Sequence, residues 1–282
     1  MNTHLHTAES VVDIATGRIS GRATTVGHEF LGIPYGADTG GENRFRAPQP
    51  VTAWTGVREC SSLPFKTPQT PRAIRPANTW IRDKTETSED CLGLNVFTPA
   101  PDGQAKRPVM VWLHGGGFEF GSGGAPGLHG GNLARAGDLV VVTLNHRLNV
   151  FGFGYFRDED ERFAQSGAAG MLDIVQALEW VRDNIAVFGG DPDNVTIFGQ
   201  SGGGSKVAIM MTMPRAKGLF HKAIIQSASS LLQLATPESA SRSMYYLRKA
   251  LDVESAEAMQ NLPTDGSPSG ISVCGRSAEQ ER

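Results

Sequence analysis

Two glycine-bracketed stretches carry the residues able to do chemistry. The first is Gly199-Gln200-Ser201-Gly202-Gly203. It lies between an apolar, β-branched run (Val195, Thr196, Ile197, Phe198) and a stretch from 205 to 211 with the spacing of a helix. Strand, tight turn and helix with serine at the apex is the setting of a nucleophile elbow. A serine there must take a strained backbone conformation to hold its hydroxyl above the sheet. Glycines are required two residues to either side, where strand and helix crowd together. The free N–H groups at the start of the helix supply positive potential, which suits a developing oxyanion. The second stretch is His114-Gly115-Gly116-Gly117-Phe118, directly after the apolar run 109–113. Three glycines without side chains let backbone N–H groups approach a substrate oxygen closely.

Each stretch has a plainer reading. The first could be only a connection, or a phosphate loop, since Gly199 and Gly204 have the right separation. A phosphate loop ends in Gly-Lys-Ser/Thr, whereas the order here is Gly204-Ser205-Lys206. The second could be a tight turn. Their occurrence together favours the chemical reading. Ser201 is then the nucleophile, and the N–H groups of Gly116, Gly117 and Gly202 form the oxyanion hole, as in an α/β-hydrolase.

The elements that must position these residues alternate along the chain. Residues 11–20 predict a hairpin around Gly17, and 29–35 a strand. Residues 52–84, rich in Pro and Thr, read as a long surface excursion of the kind that often serves function. A strand follows up to Phe97. The runs 109–113 and 139–144 are continuous and apolar, as expected of strands buried on both faces of a parallel sheet. Residues 171–188 give the clearest helix, with Ile174, Leu178, Val181, Ile185 and Phe188 on one face. Asp191-Pro192 turns the chain into the elbow strand, and 222–227 reads as a further strand. Thr236 caps a helix with Pro237 at its first position and a buried stripe of Ala240, Met244, Leu247 and Leu251. A short helix covers 255–261. The fold class is α/β, with a mostly parallel central sheet flanked by helices. Residues 1–263 form one domain, and 264–282, without periodicity and rich in Gly, Ser and charge, a disordered tail.

Composition narrows the partners. A net charge of −3 provides no basic field for nucleic acid, and no apolar run reaches membrane-spanning length. Three cysteines make neither a disulfide framework nor a zinc pattern, so no cofactor or metal is expected. The N-terminus has no basic start followed by an apolar core, and a cytoplasmic location is the expectation.

Taken together, the chain resembles the type-B carboxylesterase family, which includes para-nitrobenzyl esterases and cholinesterases. The resemblance covers about residues 11–263 and rests on FLGIPYG (30–36), RFRAPQP (44–50), EDCLGLNVFTP (89–99), HGGGF (114–118), NHRLNVFGF (145–153), ALEWVRDNIAVFGGDPDNVTIFGQSGG (177–203) and GLFHKAIIQSAS (218–229). It implies an α/β-hydrolase fold and a small-molecule carboxylic ester as substrate. It also implies Ser201 as the acyl-accepting nucleophile, an oxyanion hole of Gly116, Gly117 and Gly202, and a structural ion pair between Arg44 and Glu89.

Three departures from the family pattern stand out. Gln200 and Gly202 replace the Glu and Ala usual around the serine in eukaryotic members. Thr67-Pro68-Gln69 stands where many secreted members have Cys-Pro-Gln, so Cys91 lacks its usual partner, which fits a cytosolic protein. The family's triad runs Ser, acid, His along the chain, yet no histidine follows His221. His4, His6, His28, His114, His129, His146 and His221 all fall outside the position where the family keeps its base. The chain thus reads as the N-terminal part of an esterase, with a tail such as a frameshift or premature stop would produce. A catalytically incompetent fragment and a non-catalytic family member are the alternatives to an active ester hydrolase.

Overall fold

The structure is a computed structural model that describes residues 9–71, 76–157, 159–228 and 234–264. The tail expected at 264–282 lies, but for Thr264, outside the described residues. Among the described residues, alternating and continuous apolar runs lay down a nine-stranded sheet. β1 (Glu9–Ile14), β2 (Gly17–Thr24) and β3 (Gly27–Pro34) form an antiparallel meander that extends the expected hairpin. The short β4 (Val57–Glu59) pairs with β2. β5 (Gly93–Thr98), β6 (Arg107–Leu113), β7 (Val140–Leu144), β8 (Gly190–Gln200) and β9 (Lys222–Gln226) complete the order β1-β2-β3-β5-β7-β6-β8-β9. Along this order the pairings up to β5–β7 are antiparallel, whereas β7, β6, β8 and β9 run parallel; the off-path β4 pairs with β2 in parallel. The parallel half carries the two glycine stretches at the C-terminal ends of its strands, where ligands bind in open α/β sheets.

β5 and β7 are buried along their whole length, and the buried polar side chains of Asn95 and Thr143 pair across the strands, Asn95 Nδ2 donating to Thr143 Oγ1 at 2.9 Å. β6 differs from the expectation of burial on both faces. Val109, Val111 and Leu113 are fully buried, but Met110 and Trp112 only partly, so the strand alternates. β8 alternates in step, and Trp112 meets Phe198 edge-on at 4.9 Å on the less covered face. β9 is the last strand of the described sheet, and Ile224 and Ile225 on it are 43% and 40% exposed.

Six α-helices are described: α1 (Gly131–Gly137), α2 (Asn149–Phe153), α3 (Ala169–Asn184), α4 (Gly202–Met210), α5 (Pro237–Leu251) and α6 (Ala256–Gln260). α3 tightens into a 3₁₀ turn over Ile185–Phe188, and the whole expected stripe from Ile174 to Phe188 is buried in the main core. β8 then begins at Gly190 rather than near Val195, taking Asp191 and Pro192 into the strand. The proline cannot donate to the ladder, and the β6–β8 register shifts between Arg107 and Val109. α4 begins at Gly202, three residues before the expected start. Its opening glycines are poor helix formers, and the close crossing described below imposes the helix on them.

The α5 cap is as expected, with Thr236 Oγ1 accepting from Ser239 N–H at 3.2 Å. The stripe is only half-buried: no α5 residue is fully buried, and Met244, Leu247 and Leu251 pack on a second core of Phe45, Phe151, Phe156, Phe163, Ala256 and Met259. Arg44 and Glu89 do pair, through two hydrogen bonds of 2.6 and 2.8 Å. The remaining guanidinium nitrogen donates to the carbonyls of Met259 and Leu262, which binds the C-terminal end of α6 to the pair.

The deepest oppositely charged pair is Arg147 and Asp173, 1% and 0% exposed. The guanidinium donates to both carboxylate oxygens at 2.6 and 2.9 Å, and the Arg147 N–H donates to the same carboxylate at 2.9 Å. This clamps the segment leaving β7 onto α3. Asp173→Ala strands a buried guanidinium and should cost about 3–5 kcal/mol, read as a lower urea midpoint at unchanged m-value.

Candidate active site

Ser201 lies between the end of β8 and the start of α4, with φ 56° and ψ −124°. A non-glycine residue at positive φ is strained, and such strain is held in place by its surroundings. Here the Ser201 N–H donates to Gln226 O on β9 at 2.9 Å, and its carbonyl accepts from Ser205 N–H at 3.0 Å. The flanking glycines leave no room for side chains. A Cβ on Gly203 would lie 2.0 Å from Leu113 O, and one on Gly199 would lie 2.6 Å from the Gly203 carbonyl carbon. The helix thus crosses directly over the end of β6.

That crossing brings the second glycine stretch to the first. A Cβ on Gly202 would lie 2.5 Å from Gly117 N, so the backbone of Gly117 rests on the residue after Ser201. A Cβ on Gly115 would lie 3.7 Å from Ser201 Cβ. Gly116 and Gly117 have φ of +94° and +63°, which favours glycine at both. The Gly116 carbonyl accepts from Glu119 and Phe120 N–H, closing a turn. The N–H groups of Gly116 and Gly117 make no backbone hydrogen bond among the described residues. All four residues named from the sequence, Ser201, Gly116, Gly117 and Gly202, therefore lie together. Glycine in place of alanine at 202 has a physical reason, since a methyl group would push Gly117 away.

The histidines near the site are not bases. His114 and His146 stack at 4.8 Å, fully buried. Their Nδ1 atoms bond the carbonyls of Gly115 and Arg147, and their Nε2 atoms have no partner among the described residues. Burial, reinforced by the nearby Lys206 ammonium, pushes His114 down to about 3 and His146 well below its ordinary value. His221 accepts from Val195 N–H through Nδ1, a structural bond. No described histidine hydrogen-bonds Ser201.

Sequence reading missed Lys206. Its side chain is fully buried and donates to the carbonyls of His114 (3.1 Å) and Gly117 (2.8 Å). A lysine among the apolar residues Val207, Ile209 and Met210 of the elbow helix was the available sign. Its ammonium is committed to these two backbone carbonyls rather than held free for a phosphate, and with the order Gly204-Ser205-Lys206 this weakens the phosphate-loop reading.

A cavity of about 680 Å³ opens beside the glycine loop, with Trp80, Asp83, Trp112, Gly116, Ser122 and Gln200 among its walls. Part of the 52–84 excursion thus forms one wall. Elsewhere in that excursion, Thr67 Oγ1 lies 3.4 Å from Cys91 Sγ and donates to His146 O at 2.6 Å. Cys91 and Cys60 are free and buried, and burial raises the Cys91 thiol to about 12. Among the described residues no group of three His, Cys, Asp or Glu could hold a metal ion, and no helix is long and apolar enough to cross a membrane.

Comparison with known proteins gives the geometry a context. The sequence profile of the carboxylesterase family matches residues 8–264. The para-nitrobenzyl esterase of Bacillus subtilis is 41% identical over 239 residues, covering 84% of this chain and 47% of that protein. Human carboxylesterase 3 is 44% identical over 231 residues, covering 78% of this chain and 39% of that protein. Among solved structures, the Geobacillus stearothermophilus carboxylesterase at pH 6.2 superposes with a TM-score of 0.81 at 42% identity, covering 90% of this chain and 51% of that one. The chain spans about half the length, or less, of the relatives it matches.

The neutral His114 makes a pH-dependent contribution to stability. Its folded pKa is about 3 against 6.5 unfolded, so between those values only the unfolded chain takes up the proton. The contribution is fully present above 6.5 and is lost as pH falls toward 3, about 2 kcal/mol of it by pH 5. Urea unfolding of His114→Leu at pH 7.5 and pH 5 should show a pH-induced loss smaller than that of the unaltered protein by this amount; equal losses would contradict it.

Proposed function

The chain belongs to the carboxylesterase family, and on that footing we propose that it acts on carboxylic esters through Ser201. The hydroxyl attacks the ester carbonyl, and the tetrahedral oxyanion is received by the N–H groups of Gly116, Gly117 and Gly202. The alcohol leaves, and water then hydrolyses the acyl-serine. The observation that carries this reading is the strained Ser201 at the strand–helix junction, with the Gly117 backbone packed on Gly202. Retention of both the serine and the glycines favours a hydrolase over a non-catalytic member of the family. Activation of the serine requires a base, and none of the described histidines serves.

The substrate is a small-molecule ester, with the cavity beside Gly116 offering space for one of its two arms. Carbonyl attack by serine needs no cofactor. Residues 1–263 are read as one partial α/β-hydrolase domain, with 264–282 apart from it. A cytoplasmic location is supported by Thr67, which stands beside Cys91 where secreted members place a bridging cysteine.

Labelling with a fluorophosphonate, followed by peptide mapping, tests the assignment. Where a base completes the site, one equivalent should attach at Ser201, and none in Ser201→Ala. Ester turnover should fall with that substitution, by on the order of a million-fold where a complete triad operates. A para-nitrophenyl ester hydrolysed equally well by both proteins would assign the activity to another residue.

A further inference from the structure

We propose that Lys206 is a positioning residue for the oxyanion hole, holding the 114–117 loop from beneath so that the Gly116 and Gly117 N–H groups stay turned toward Ser201. The inference rests on the serine-esterase reading for what the hole receives, but the hold itself is independent of it.

The loop contains three consecutive glycines, the residues with the most backbone freedom to lose. Such a loop is useful to catalysis only if its donors are fixed before substrate arrives. The peptide unit is planar and trans, so a carbonyl held on one side turns the N–H of the same unit to the other. The units carrying the Gly116 and Gly117 N–H groups are held through the carbonyls of Gly115, bonded to His114 Nδ1, and of Gly116, bonded to Glu119 and Phe120 N–H. The two units flanking them carry the carbonyls of His114 and Gly117, and Lys206 Nζ takes both, at 3.1 and 2.8 Å. One ammonium thus brackets the donor pair. It does so from α4, one helical turn beyond Gly202, so a single helix fixes both sides of the hole.

The electrostatics indicate that this lysine is held at a cost. No carboxylate pairs with Lys206 among the described residues, and its surroundings are the Phe118 ring at 5.2 Å, the neutral imidazoles of His114 and His146, and backbone carbonyls. A buried cation without a counter-charge is expensive, and burial lowers Lys206 to about 7. A methionine would fill the same space without that penalty. What it would lack is the pair of donated hydrogen bonds and a positive charge beneath the site where negative charge develops.

The test compares the unaltered chain with Lys206→Met, which keeps the volume, and Lys206→Gln, which keeps two N–H donors without the charge. The first readout is 13Cα relaxation of Gly116 and Gly117. Order parameters near about 0.85 in the unaltered chain should fall below about 0.6 in Lys206→Met and recover partly in Lys206→Gln, with the β6 residues unchanged in all three. The second readout is the second-order rate of fluorophosphonate attachment at Ser201, expected to drop about 100-fold in Lys206→Met, the scale of losing an oxyanion donor. Unchanged loop order in Lys206→Met would overturn the proposal. Loss of loop order in a protein that never labels at Ser201 would uphold Lys206 and refute the serine-esterase reading.

Discussion

The contact on which the site depends is the crossing of α4 over the end of β6, where the Gly203 position comes so close to Leu113 O that a methyl group would stand 2.0 Å from it. With no side chain in between, the helix starts directly at the strand end, and Ser201 is forced into its positive φ at the apex. The loop leaving Leu113 passes over the first turn of that helix, which lays Gly117 on Gly202. Opening a helix with three glycines costs about 1 kcal/mol each relative to alanine. The burial of Val207 and Met210 on the other side of α4 offsets part of that.

Around this crossing, buried polar groups hold segments that have little apolar surface of their own. The Arg147–Asp173 pair fixes the exit of β7 to α3, and with it the His146 ring that stacks on His114 at the root of the glycine loop. Thr67 ties the 52–84 excursion to the same place by donating to His146 O. Arg44 joins the loop after β3 to Glu89 and to α6. Each is a charge or hydroxyl with several partners, so each removes the freedom of more than one segment.

Much of this was legible in the sequence, for physical reasons. The strand–serine–helix order and the triple glycine announced themselves because no other residue types satisfy such close backbone approaches, and the α3 stripe did so because five apolar residues repeat at helical spacing. The capping pair Thr236-Pro237 was equally plain. What was not legible depended on partners distant along the chain. The alternation of β6 hides in a run whose residues are all apolar, and only the sheet's faces distinguish Met110 from Val111. The early starts of β8 and α4 run against the local preferences of Pro192 and the glycines, and tertiary contact overrides them. Lys206 reads locally as a solvated helix residue, because its acceptors, His114 O and Gly117 O, lie about ninety positions away.

The proposed oxyanion hole requires three backbone N–H groups, from Gly116, Gly117 and Gly202, to converge on one point beside Ser201. A crystal structure of the protein after reaction with a fluorophosphonate measures this directly, since the phosphonyl oxygen occupies the place of the oxyanion. Phosphorus should be bonded to Ser201 Oγ, with the phosphonyl oxygen about 3 Å from all three nitrogens. An adduct on Ser201 whose oxygen points into solvent or toward other donors, with the 114–117 loop turned away, would contradict it.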